Sequence, residues 1–90
     1  MTVIQLDGRA MRSRSDAHDH LQQKLAFPEY YGRNLDALHD LLTERSEPVT
    51  LELLYPEEML SDLGPYAEAL LHVLRDAAEN NPNLDFRICE

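Results

Sequence analysis

The chain has no tryptophan, one cysteine, three glycines, and only 8 basic residues against 17 acidic ones among its 90 positions. Each shortage excludes something. With Cys89 alone, an intrachain disulfide and any multi-cysteine metal site are impossible, and the residue falls in what reads as a C-terminal strand. No apolar run approaches the roughly 18 residues a membrane-spanning helix needs. The opening MTVIQLDGRAMRSRSD also lacks the apolar stretch of a signal peptide, so a cytoplasmic protein without membrane contact is expected. P-loop, G-x-G-x-x-G and G-x-S-x-G patterns are all missing, and no cofactor is expected. The net charge of −9 repels nucleic acid and favours a basic partner. Solubility alone would explain such a charge unless it is focused somewhere.

What is present suffices for one domain over residues 1–90: hydrophobic content is 43%, and a second core would need roughly another 50 residues. TVIQLD (2–7) reads as a strand closed by Asp7-Gly8. A helix follows, with Ser15 as its expected N-cap and Ala17, Leu21 and Leu25 on one face up to Pro28. After Gly32, Asn34 should cap a second helix whose Leu35, Leu38, Leu41 and Leu42 form an apolar stripe. VTLELL (49–54) alternates as a strand. Residues 57–63 suit a short helix ended by Gly64, and Pro65 opens a longer one with a broad apolar face running from Tyr66 to Ala78. Asn80-Asn81-Pro82 stops it, and 84–89 alternates as a last strand. Strands separated by helices imply an α/β fold: a small three-stranded parallel sheet with flanking helices.

The charge is focused in PEYYGRNLDALHDLLT, residues 28–43. Asp36 is the second helical residue after the cap, where the helix dipole favours a carboxylate by about 0.3–1 kcal/mol. Asp40 lies one turn further on, beyond that benefit, and a like-charge pair at this spacing costs an isolated helix roughly 0.2–0.5 kcal/mol. Arg33 is the one cation nearby, and from before the helix it should reach Asp36 better than Asp40. An unneutralised pair beside Tyr30 and Tyr31 suits a surface awaiting positive charge, because exposed tyrosine is favoured at binding hot spots. One of the two tyrosines is expected in the core. Gly32 would supply a positive φ if the entry into the helix is tight. Two other chemistries fit less well. His18 and His20 are two apart on a helix and point to different faces, and Asp36 with His39 or Asp40 has workable spacing but lacks identifiable third and fourth ligands, so a zinc site is not expected. Two surface carboxylates without a cleft would not have the separated pKa values of a general acid and base.

This segment closely resembles the signature of the barstar family, cytoplasmic inhibitors of secreted bacterial ribonucleases. The likeness extends from VIQLDG through SDAH and LAFPEYYG to LEL and VLRDA. It implies the same three-stranded parallel fold, no catalysis, no direct nucleic-acid contact, and a monomer binding a basic extracellular ribonuclease or ribonuclease toxin domain one to one. Carried over by position, Asp40 matches the central phosphate mimic and Asp36 a second acidic contact. Tyr30 matches the tyrosine that packs over the catalytic histidine. Gly32 and Asn34 match contacts of the turn, Thr43 falls within the same contact helix, and Asp76 matches a peripheral acidic residue. His39 and Arg45 stand where the best-known members carry tryptophans. Asn80 stands near a position that is acidic in those members, their paired cysteines are missing, and the loop at 44–48 is a residue shorter. These departures lie on the rim of the implied contact and bear on which enzyme is recognised. An acidic adaptor on the same fold, binding some other basic protein, is the competing reading.

Overall fold

The computed structural model describes residues 2–89. Three strands, β1 (Thr2–Asp7), β2 (Val49–Leu54) and β3 (Leu84–Cys89), form a parallel sheet in the order β1-β2-β3. The register pairs Ile4 with Leu51 and Leu6 with Leu53, and on the other side Leu51 with Phe86 and Leu53 with Ile88. Residues paired this way share a face. One face is therefore apolar, and Leu6, Leu51 and Leu53 on it are fully buried. The opposite face is mostly polar: Gln5 donates to Glu52 at 3.4 Å, Arg87 lies 4.0 Å from the same carboxylate, and Val3 is exposed. Parallel sheets are usually covered on both faces.

The covering helices are α1 (Arg14–Leu25), α2 (Leu35–Thr43), α3 (Pro56–Leu63) and α4 (Pro65–Asn80). Leu21 and Leu25 of α1, Leu38 and Leu42 of α2, and Leu70 and Leu74 of α4 join the strand leucines in one core. A 3-10 turn at Gly8–Ala10, absent from the sequence reading, links β1 to α1. It passes so close to β2 that a Cβ on Gly8 would lie 2.1 Å from the carbonyl oxygen of Tyr55, and glycine alone fits there. Among the described residues no helix is long and apolar enough to cross a membrane.

One boundary differs from expectation. The N-cap of α1 is Ser13, not Ser15: the Ser13 hydroxyl accepts from the Asp16 backbone N–H at 3.1 Å. Both serines are good caps by type. Ser13 caps the helix while the Ser15 hydroxyl accepts from Arg33 at 3.2 Å.

Candidate functional site

The segment carrying the paired carboxylates is anchored at both ends. At its start, the Asn34 side chain accepts from the Ala37 N–H at 2.8 Å and donates to the Gly32 carbonyl at 3.2 Å. At its end, the buried Asn81 amide donates to the carbonyls of Leu42 at 2.8 Å and Arg45 at 2.9 Å, satisfying acceptors that the last helical turn leaves open. Between these ends Leu38 and Leu42 are buried, and α2 lies against α4. The outer face of α2 is thereby fixed toward solvent. Asp36 and Asp40 are both exposed there, and among the described residues neither forms an ion pair.

The turn before α2 divides its tyrosines. Tyr30 is 83% exposed whereas Tyr31 is only 4% exposed. Tyr31 packs on Phe27 with ring centroids 4.8 Å apart, and its hydroxyl lies 2.6 Å from Nδ1 of the buried His18. The other ring nitrogen of His18, Nε2, lies 2.6 Å from the Tyr66 hydroxyl. A neutral imidazole has one donor and one acceptor nitrogen, so one tyrosine donates to it and the other accepts from it. This chain ties α1, the turn and α4 together behind the exposed Tyr30. His20 serves elsewhere, accepting from the Asp7 N–H at 2.9 Å at the end of β1.

Two expectations about this turn need correction. The residue with positive φ is Arg33, at 56°, and not Gly32. At Gly32 the space is tight: a Cβ there would lie 3.1 Å from the Asn34 side-chain nitrogen and 3.2 Å from Ala37 Cβ, so the cap would have to give by a few tenths of an ångström. Arg33 does not pair with Asp36. Its left-handed backbone turns the side chain toward α1, where it pairs with Asp19 and donates to the Ser15 carbonyl and hydroxyl at 3.2 Å. The carboxylates of α2 are thus left more completely unpaired than the sequence suggested.

The remaining positions lie toward the far end of α2. His39 Nε2 is 2.7 Å from an Asp76 carboxylate oxygen, which also accepts from Asn80 at 3.3 Å. The Thr43 hydroxyl bonds back to the helix carbonyls of His39 and Asp40 at 2.9 and 3.1 Å. Arg45 reaches the Leu25 carbonyl at 3.4 Å, at the end of α1. Each of these side chains has a partner inside the chain. The sequence reading missed Asn81 and the His18–Tyr31–Tyr66 chain. Asn81 was legible only as a helix stop, and His18 only as a failed metal ligand.

Burial lowers the pKa of His18 below its usual value, and the nearby Arg33 charge acts in the same direction; burial also raises Tyr31 and Tyr66. The folded state therefore prefers neutral His18, whereas the unfolded chain takes up a proton near pH 6.5. On this account stability should be level between about pH 7 and 9 and fall as the pH drops from about 6.5 through the lower folded value of His18. Burial lowers His20 too, with the same sign. Urea unfolding at a series of pH values checks this, and His18→Gln should flatten the slope between pH 7 and 5. An unchanged slope in that variant would contradict the assignment.

A family model described as Barstar (barnase inhibitor) matches residues 1–89 of this chain. The chain is also 46% identical over 80 residues, 88% of each chain, to a protein of Bacillus subtilis (strain 168) named "Putative ribonuclease inhibitor YrdF".

Proposed function

The chain belongs to the barstar family, and from that premise we propose that it inhibits a barnase-like secreted ribonuclease, or the ribonuclease domain of a toxin, by plugging the active site with α2. The protein is not an enzyme. One observation supports the mechanism above the others: Asp36 and Asp40 are exposed and unpaired on a helix capped at both ends, beside a tyrosine that is 83% exposed. Free carboxylates one turn apart can occupy the places of RNA phosphates and meet the enzyme's cations. Because the core and the two caps already hold them in place, little ordering entropy opposes binding.

In this reading Asp40 takes the central phosphate position, Asp36 a second one, and Tyr30 packs over the catalytic histidine. Gly32 and Asn34 shape the turn that enters the enzyme's cleft. His39, Thr43 and Arg45 border the contact. Asp76, held by His39 and Asn80, contributes at the periphery. The protein acts in the cytoplasm as a monomeric single domain, one copy per enzyme, and protects its own cell before the enzyme is exported. It contacts neither RNA nor a membrane directly. The experiment is titration of purified barnase, the enzyme in the family's description, with this chain while RNA cleavage is followed. Activity should fall linearly to an endpoint at one inhibitor per enzyme. Undiminished cleavage at a large excess of the chain would contradict the reading.

A further inference from the structure

An open cleft of about 480 Å³ lies where the starts of α1, α2 and α4 meet. Arg14 and Tyr66 line it together with Asn34, Leu35 and Asp36. The last three belong to the start of α2, so a protein seated on that helix borders the cleft. Arg33 also lines it, but its charge is already matched by Asp19. Arg14 is in a different position. Its guanidinium carbon lies 4.5 Å from the centroid of the Tyr66 ring, and among the described residues no carboxylate pairs with it. Tyr66 is itself fixed by the bond to His18. A guanidinium stacked on an aromatic face keeps its planar fork of N–H donors free for a carboxylate.

That arrangement sits oddly on a chain with 17 acidic and 8 basic residues whose partner is basic. A lone cation at the border of such a contact opposes association unless it meets negative charge locally. We infer that the cleft receives an acidic side chain of the ribonuclease. Its carboxylate takes the Arg14 guanidinium while a neighbouring cation of the enzyme takes Asp36. The target surface then alternates in sign instead of being uniformly basic, and Arg14 selects among basic ribonucleases for those with a carboxylate at that place. The inference rests on the ribonuclease-inhibitor reading given above.

The test exploits a difference of sign. Simple charge balance says that removing a cation from the inhibitor of a basic enzyme tightens binding; an acidic occupant of the cleft says the opposite. Inhibition constants against purified barnase are compared for the wild type, Arg14→Gln, Arg14→Lys and Arg12→Gln, with thermal melting to confirm folding. Arg12 is exposed and does not line the cleft. Arg14→Gln should weaken inhibition about tenfold, and Arg14→Lys should lose less because it keeps the charge. Arg12→Gln should leave inhibition unchanged or slightly tighter. An Arg14→Gln variant that binds as well as the wild type or better, or an equal loss in Arg12→Gln, would overturn the inference. Failure of the wild type to inhibit would instead remove the reading on which it rests, and the inference with it.

Discussion

Asp40→Ala should lose most of the inhibitory power while melting at the temperature of the wild type or slightly above it. Asp40 is exposed, and none of its side-chain atoms takes part in the caps of α2 or in an ion pair among the described residues. Its like-charge neighbour Asp36 lies one turn away, so truncation relieves a repulsion of roughly 0.2–0.5 kcal/mol. In the complex the balance reverses. The enzyme's cations would stay desolvated without their anionic partner, at a cost of about 2–5 kcal/mol or more. The corresponding truncation in the family's complex with barnase is a known extreme hot spot, so what is predicted here is its transfer to this chain. Asp76→Ala serves as the contrast. Its carboxylate is already bonded to His39 at 2.7 Å and its side chain is 42% exposed, so it should cost far less. Inhibition constants and melting curves for both variants check this, and equal losses in the two would misplace the site.

Leu38→Ala should do the reverse. Leu38 is fully buried on the inner face of the same helix, two residues from Asp40. Replacing a buried leucine by alanine removes transfer free energy and leaves a cavity, together about 2–5 kcal/mol. A domain of this size has about 5–15 kcal/mol in all, so the variant should remain folded at low temperature but unfold at clearly lower urea. The carboxylates remain on a helix whose caps at Asn34 and Asn81 are untouched. Measured on the folded fraction, inhibition should therefore stay within a few-fold of the wild type. Intact stability in this variant would show that α2 is not held by the core as described.

The two substitutions separate what the sequence disclosed from what it did not. Local signals were sufficient wherever a pattern acts within a few residues. The alternation in VTLELL, the Asn34 cap and the Pro65 start each give their element with nearly the observed limits. Ser13 was overlooked because the run SRSD offers two serines of equal type, and the Ser15 hydroxyl is taken by Arg33, 18 positions further along the chain. The larger omissions are contacts between residues distant in the chain. Asn81 lies 39 positions from Leu42, and Tyr66 lies 48 from His18; no periodicity encodes either. Likewise, the direction taken by Arg33 follows from its left-handed backbone, which brings Asp19 rather than Asp36 within reach. The carboxylate pair itself was legible because its signal is an absence, a helix face with no cation at the spacing that would neutralise it.

The central claim is that α2 occupies the place where a ribonuclease binds RNA phosphate. The direct measurement is competition. The inhibition constant of this chain against purified barnase is determined at rising concentrations of a mononucleotide that binds the enzyme's active site. If the helix and the nucleotide share one site, the apparent constant should rise in proportion to nucleotide concentration, without a plateau. An inhibitor that still acts one to one, with a constant unchanged when the nucleotide saturates the enzyme, would show that α2 binds elsewhere and that its carboxylates do not stand in for phosphates.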